Sequence, residues 1–351
     1  MAYGRSEISY DVVAELIPIF KNQLKWCNLG SEENLLVVTD TAFNPVYSAA
    51  CFGAARQIGA DVHKVVLSHR EDWNEDTLRG FFSTADLILY PTTHPLHYSV
   101  AMKEALEEGK RALCVMVPLT ILERRTANAD IIERTKRGAE LLGKADEIRI
   151  TSESGTDLSM KKGDRPAIAT YGVADEAGRL DFWGGGFFQT AQLEGTTEGE
   201  LVLAPGDQIF YLGRYVESET KIIFEEGKAV AFEGGTDAAL VANLLKTSGG
   251  VNSLKAGHIA VGTDPDAIWS AETIQFPQVG GGGIDAEAYY GNVQVEIGSN
   301  NDVLFQGENP ANAHLGLCML DCDLYLDGKK ILQKGEFLPE DMKANCLKES
   351  R

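Results

Sequence analysis

Two histidines stand out in the C-terminal half of the chain: His258, in AGHIAVG, and His314, in NAHLGLCMLDCDLYLD, 56 positions further on. A neutral imidazole is the commonest side chain for holding a transition metal. Each opens an alternation of apolar with small or polar residues, the pattern of a strand, and a strand is a rigid mount for a ligand. Two strand-borne histidines so far apart predict a site assembled from separate strands. Taken singly, each reads first as a hydrogen-bonded core or edge histidine, and the segments around them shift that reading. Of the remaining histidines, His63 and His69 in DVHKVVLSHR have no carboxylate-rich or cysteine-rich partner at ligand spacing and read as structural. His94 and His97, in PTTHPLHYS, follow a strand pattern, where α/β sheets present functional loops. The acidic run Glu71 to Asp76, EDWNED, reads as a solvated loop.

The elements that must carry these residues fall into two textures. VVAELIPIFKNQLKWC has apolar residues three and four apart and predicts a helix. NLLVVTD (34–40) is a buried-strand pattern, followed by NPVYSAACFGAARQIGA, a helix that Gly59 closes. DVHKVVLS, ADLILYPTT and RALCVMVP give further strands, with a helix from His97 to Glu108 among them, and DIIERTKRGAELLGKADEIRI adds a helix and a strand. Repeated strand–helix–strand units predict a doubly wound parallel sheet with helices on its faces. After Thr151 glycines become dense and short alternating segments appear, which predicts a β-rich α+β domain with tight turns. EGKAV (226–230) and LDGKKIL (326–332) read as hairpin turns, and TDAALVANLLKT as an interrupting helix. The division is expected near Ile150: residues 1–150 as the α/β domain and 151–351 as the β-rich domain that holds the site. No GxGxxG follows the first strand and no GxxxxGKS occurs, so neither a dinucleotide nor a nucleoside triphosphate is supported. The glycines at 280–283 read as a loop rather than a phosphate cradle, because no helix start is evident after them.

The 351 residues suffice for two cores. Lysine and arginine number 32 against 52 aspartates and glutamates, a net charge of −20, which argues against nucleic acid and anionic membranes as partners. The six cysteines (27, 51, 114, 318, 322 and 346) form no CxxC pair, and several lie in apolar runs, as reduced buried thiols do. No four-cysteine zinc spacing is present. The N-terminus lacks a secretory pattern and no apolar run is long enough to span a bilayer, so the expected location is cytoplasmic.

Five segments carry a family resemblance: YGVADEAGRLDFW (171–183), TEGELVLAPGD (197–207), GHIAVGTDPDAIW (257–269), AYYGNVQVEIGSN (288–300) and AHLGLCMLDCDLYLDGK (313–329). The chain resembles the superfamily that joins 2,5-dihydroxypyridine 5,6-dioxygenases to thermophilic leucyl aminopeptidases of the aminopeptidase T type. In the dioxygenase branch the resemblance implies mononuclear iron(II), with His258 and His314 as ligands. The carboxylate expected two residues after the second histidine is absent, since that position is Gly316. A face of two histidines and one carboxylate suits iron(II) because the anionic oxygen offsets the metal charge and leaves open positions. Where the dioxygenase pattern carries a serine near the metal, this chain has Glu296. The loss and the gain together make His258, Glu296 and His314 the expected ligand set; the bland alternative is a solvent-facing glutamate. The aminopeptidase branch needs two metals and several carboxylates. Here the acid of its PDGE-type motif aligns with Phe187, and Gly316 breaks its His-x-Asp pair.

The resemblance further implies that His97 handles a proton near the substrate and that Glu176 orients the ring. Leu180 and Phe182 stand where the dihydroxypyridine enzymes have a larger or more polar pair, which implies a reshaped, more apolar pocket. Arg179 has two readings, as partner of a substrate carboxylate and as a structural ion pair with Asp175 or Asp181. The expected function is a non-haem iron(II) dioxygenase that opens a hydroxylated N-heteroaromatic ring, with a small-molecule substrate and dioxygen as partners and a homo-oligomeric state. Two alternatives stay open. One is a mononuclear zinc or metal-free hydrolase of an amide or lactam, with Glu296 as general base. The other is a binding-only relative.

Overall fold

The computed structural model describes residues 9–69, 73–210, 213–270 and 283–344. Glu71, Asp72, Gly280 to Gly282 and Cys346, on which readings above touch, lie outside them. The described residues form two compact units, one built from those up to Asn128 together with Tyr171–Gly185, the other from Ala129–Thr170, 186–270 and 283–344.

The first unit is a five-stranded parallel sheet. Its order is Asp61–Leu67, Asn34–Asp40, Leu87–Tyr90, Arg111–Cys114 and Leu180–Phe182. The strands Leu87–Tyr90 and Arg111–Cys114 are buried throughout, which is why they read as continuous apolar runs rather than alternations. The helices start where the side chains of Ser9, Asn44 and Asn74 accept hydrogen bonds from backbone N–H groups of the first turn. Pro45 sits at the start of the second, and Gly59, at φ 99°, closes it in the left-handed conformation. The expected helix from His97 to Glu108 begins later: a 3-10 turn, Leu96–Tyr98, precedes a helix over Val100–Glu107 capped by Ser99.

The fifth strand shows how the chain's course differs from a single boundary near Ile150. Leu180–Phe182 pairs in parallel with Arg111–Cys114, so a segment late in sequence completes the early sheet. Conversely, helix Ala129–Gly143 and strand Glu147–Ser152 belong to the second unit. That strand pairs antiparallel with Asp157–Lys161 and Cys322–Leu326.

Among its described residues the second unit has two antiparallel sheets, one of eight strands and one of seven. One continuous apolar core takes Ile148, Ile150, Leu201 and Leu324 from the larger sheet and Phe188, Ile259, Val295 and Leu317 from the smaller. Burying each such side chain contributes about 1.5–3 kcal/mol. Helix Ala129–Gly143 packs on strand Phe187–Ala191 at Gly138, where a Cβ would come within 2.1 Å of the Phe188 ring. Both expected hairpins form. Glu226 and Gly227, at φ 47° and 74°, turn between Thr220–Glu225 and Lys228–Gly234. Asp327 and Gly328, at φ 46° and 76°, turn between Cys322–Leu326 and Lys329–Gln333. The interrupting helix spans Thr236–Thr247. Contrary to expectation a helix does follow the glycine run, Ile284–Ala288, but it is only five residues long. The five described cysteines are free and buried, and burial pushes the Cys27 and Cys114 thiols up to about 12, which keeps them inert. No helix among the described residues is long and apolar enough to cross a membrane.

Candidate metal centre

Three adjacent strands of the smaller sheet carry the candidate ligands: Ala256–Gly262, Val293–Gly298 and His314–Met319. Alternation sorts their side chains. Ile259, Val261, Val293, Val295, Ile297, Leu315, Leu317 and Met319 enter the core, so His258, Glu296 and His314 share the opposite face. Register completes the placement, since Gly298 pairs with His314 and Glu296 pairs with Gly316. The ladder to the His258 strand is regular from Ile259 onward but shifts between Ala256 and Ile259. This irregularity falls on Gly257 and His258, and such bulges re-aim a side chain.

One ligand atom from each of His258, Glu296 and His314 lies within 4.8 Å of the other two, a set able to hold one cation. His258 Nε2 is 4.0 Å from Glu296 Oε1, and the two imidazole centroids are 5.2 Å apart. His258 and Glu296 are almost wholly buried, at 3% and 1% exposure. His314 Nδ1 lies 3.2 Å from both the hydroxyl and the carbonyl oxygen of Ser299. A carbonyl only accepts, so this bonding assigns the proton to Nδ1 and leaves Nε2 with its lone pair. Phe305 stacks on His258 at 4.2 Å and 22°, while Asp302 accepts from the Leu304 and Phe305 backbone N–H groups at 2.9 Å each. Gln294, two residues before Glu296 on the same face, donates to Glu296 Oε1 at 2.5 Å and accepts from the Cys318 thiol at 3.4 Å.

Burial, then the neighbouring His314, holds His258 well below the ordinary imidazole range, in the neutral form a metal requires. Burial pushes the Glu296 carboxyl up, against the pull of His314 and Gln294. Its Oε2 is buried without a hydrogen-bond partner. A buried carboxylate oxygen left unpaired costs about 1–3 kcal/mol or more, and a cation between the three residues would remove that cost. The donor set of two imidazoles and a carboxylate fits a first-row divalent metal such as iron(II).

The other sequence-derived site residues belong to the first unit. His97 Nδ1 is 3.3 Å from the Tyr90 hydroxyl, and the His97 ring meets Phe182 edge-on at 5.1 Å. Glu176 is exposed and Leu180 is buried in the sheet. Arg179 forms both ion pairs considered for it, at 2.5 Å to Asp181 and 3.6 Å to Asp175, and its guanidinium lies 3.7 Å over the Tyr171 ring. His69 and His94, treated separately in the sequence, stack at 5.0 Å. His69 Nδ1 is 3.0 Å from the Thr93 hydroxyl, which bonds Asp40 at 2.8 Å. Sequence reasoning missed Gln294 and Phe305. Alternation from Glu296 could have found the first; nothing local marks the second.

The chain thus combines a parallel-sheet unit with an antiparallel unit that carries a histidine–glutamate–histidine cluster able to hold a cation. Residues 15–339 match the family model described as NicX: 2,5-dihydroxypyridine 5,6-dioxygenase, and the chain belongs to that family. The 2,5-dihydroxypyridine 5,6-dioxygenase of Pseudomonas putida KT2440 is 29% identical, over 94% of this chain and 98% of that protein. The solved structure of the 2,5-dihydroxypyridine dioxygenase from Pseudomonas putida KT2440 superposes with a TM-score of 0.87 at 27% identity, covering 94% of this chain and 99% of that one. AmpT from Thermus thermophilus shares the fold, with a TM-score of 0.56 at 12% identity over 93% of this chain and 99% of that one.

Proposed function

We propose that the chain is an iron(II)-dependent dioxygenase that opens the ring of a hydroxylated N-heteroaromatic, in the manner its family name describes. The observation that carries the reading is the convergence of His258, Glu296 and His314 on one point of a buried face. Iron(II) held there would supply the redox chemistry for opening an electron-rich ring with dioxygen. The protein's part is to keep the His258 imidazole neutral, to pin Glu296 Oε1 through Gln294, and to exclude water with the Phe305 ring. For the first unit we keep the sequence-based assignment as part of the proposal: His97 handles a proton and Glu176 orients the ring.

The test is oxygen uptake by protein purified anaerobically and loaded with iron(II), using 2,5-dihydroxypyridine and related hydroxypyridines. Uptake that matches loss of ring absorbance mole for mole is the expected result. Turnover of an amide or lactam that persists without oxygen would instead support a hydrolase with Glu296 as base.

A further inference from the structure

Glu296 stands directly opposite Gly316 in the antiparallel ladder, so both positions face the two histidines. A side chain at 316 would nevertheless have nowhere to go. A Cβ there would lie 2.6 Å from Glu296 Oε1 and 2.2 Å from Cδ2 of Phe210. The aromatic ring is held over this spot from two sides. The Phe210 N–H donates to the Gly316 carbonyl at 2.9 Å, and the same ring would meet a Cβ on Gly283 at 2.6 Å. It is therefore wedged between two glycines.

We infer that Phe210 and Gly316 act together as positioning residues that decide which strand supplies the carboxylate. The ring fills the volume above position 316, glycine is required beneath it, and 296 is left as the position from which an acid reaches between the histidines. The ring also makes the flank of Glu296 apolar, which leaves Gln294 as the donor that holds Oε1. This inference rests on the metal reading given above and adds to it a reason for the glycine.

Cobalt(II), titrated anaerobically and followed by its visible absorption, tests the inference without turnover. Wild-type protein is expected to bind one cobalt per chain, and Glu296→Ala to bind at least about 100-fold more weakly. Glu296→Ala/Gly316→Asp relieves the 2.6 Å contact but not the 2.2 Å one, and is expected to stay weak. Adding Phe210→Ala to that pair is expected to bring affinity back to within about tenfold of wild type. A double variant that binds as well as the triple would overturn the role of Phe210, and so would a triple that melts cooperatively yet binds no better than Glu296→Ala. Should the triple fail to fold, a second pair decides. Gly316→Ala is expected to lose at least about tenfold in cobalt affinity and Phe210→Ala/Gly316→Ala to regain part of it; an unchanged Gly316→Ala sinks the inference. Wild-type protein that binds no cobalt would overturn the metal reading itself, an outcome distinct from the variant patterns.

Discussion

Replacing Glu296 by glutamine is expected to weaken metal binding at least about 100-fold and, in the same protein, to raise the melting temperature of the metal-free form. The first effect follows from losing the one anionic ligand: groups that merely orient a ligand are worth about 10–100-fold in metal affinity, and a direct donor exceeds them. The second follows from the direction in which burial moves the carboxyl. Its value in the fold lies above the ordinary glutamate value of 4.5. The folded protein thus favours the protonated form, and this contribution to stability is complete below about 4.5 and lost as pH rises through the raised value. At pH above that raised value the metal-free protein carries a buried charge with one unpaired oxygen. Glutamine removes that charge while keeping the shape and the bond from Gln294. A gain of about 1 kcal/mol corresponds to roughly 2–4 °C. Metal affinity has the opposite pH dependence, falling as acid protonates Glu296. Isothermal titration and thermal melts of the same variant read both effects. Unchanged affinity, or a metal-free variant that melts lower than wild type at alkaline pH, would contradict this account.

Removing Asp181 is expected to be the costliest change in the first unit. Its side chain is fully buried and accepts from the backbone N–H groups of Tyr171, Gly172 and Phe182 at 3.2, 2.8 and 2.7 Å. It also pairs with Arg179 at 2.5 Å. Asp181→Ala leaves a largely buried guanidinium without its nearer counter-ion and three amides without an acceptor. Breaking one side of such a pair costs about 3–5 kcal/mol. Denaturant unfolding followed by tryptophan fluorescence would measure it, since Trp183 lies two residues away in the same core. A loss under about 1 kcal/mol would mean that Arg179 is held chiefly by other groups, and would reopen its reading as a substrate partner.

What the sequence discloses of this molecule follows from what period and punctuation can encode. Alternation places His258, Glu296 and His314 on strands and opposite to Ile259, Val295 and Leu315. Asp327-Gly328 marks its own hairpin because few other residue pairs tolerate two positive φ values, and in Glu226-Gly227 the glycine alone gives the signal. Register has no such signature. That Glu296 faces Gly316 is set by pairing between strands, so the geometric link between the lost acid and the gained one appears only in the fold. The same holds for the Gly257–His258 irregularity and for the Phe305 stack. Leu180–Phe182, three residues in a glycine-rich stretch, is too short for a periodicity, and its return to the first sheet could not be read. His69 and His94 meet although Asn34–Asp40 lies between the strands that precede them, a fact of topology rather than of either segment.

The central claim is that one cation is shared by His258, Glu296 and His314. Anomalous diffraction at the iron edge, from crystals grown anaerobically with iron(II), tests it most directly. The account requires a single strong peak in the second unit within bonding distance of an imidazole nitrogen from each histidine and an oxygen of Glu296. A peak that lacks the glutamate, or iron bound elsewhere while these three side chains stay empty, would contradict it.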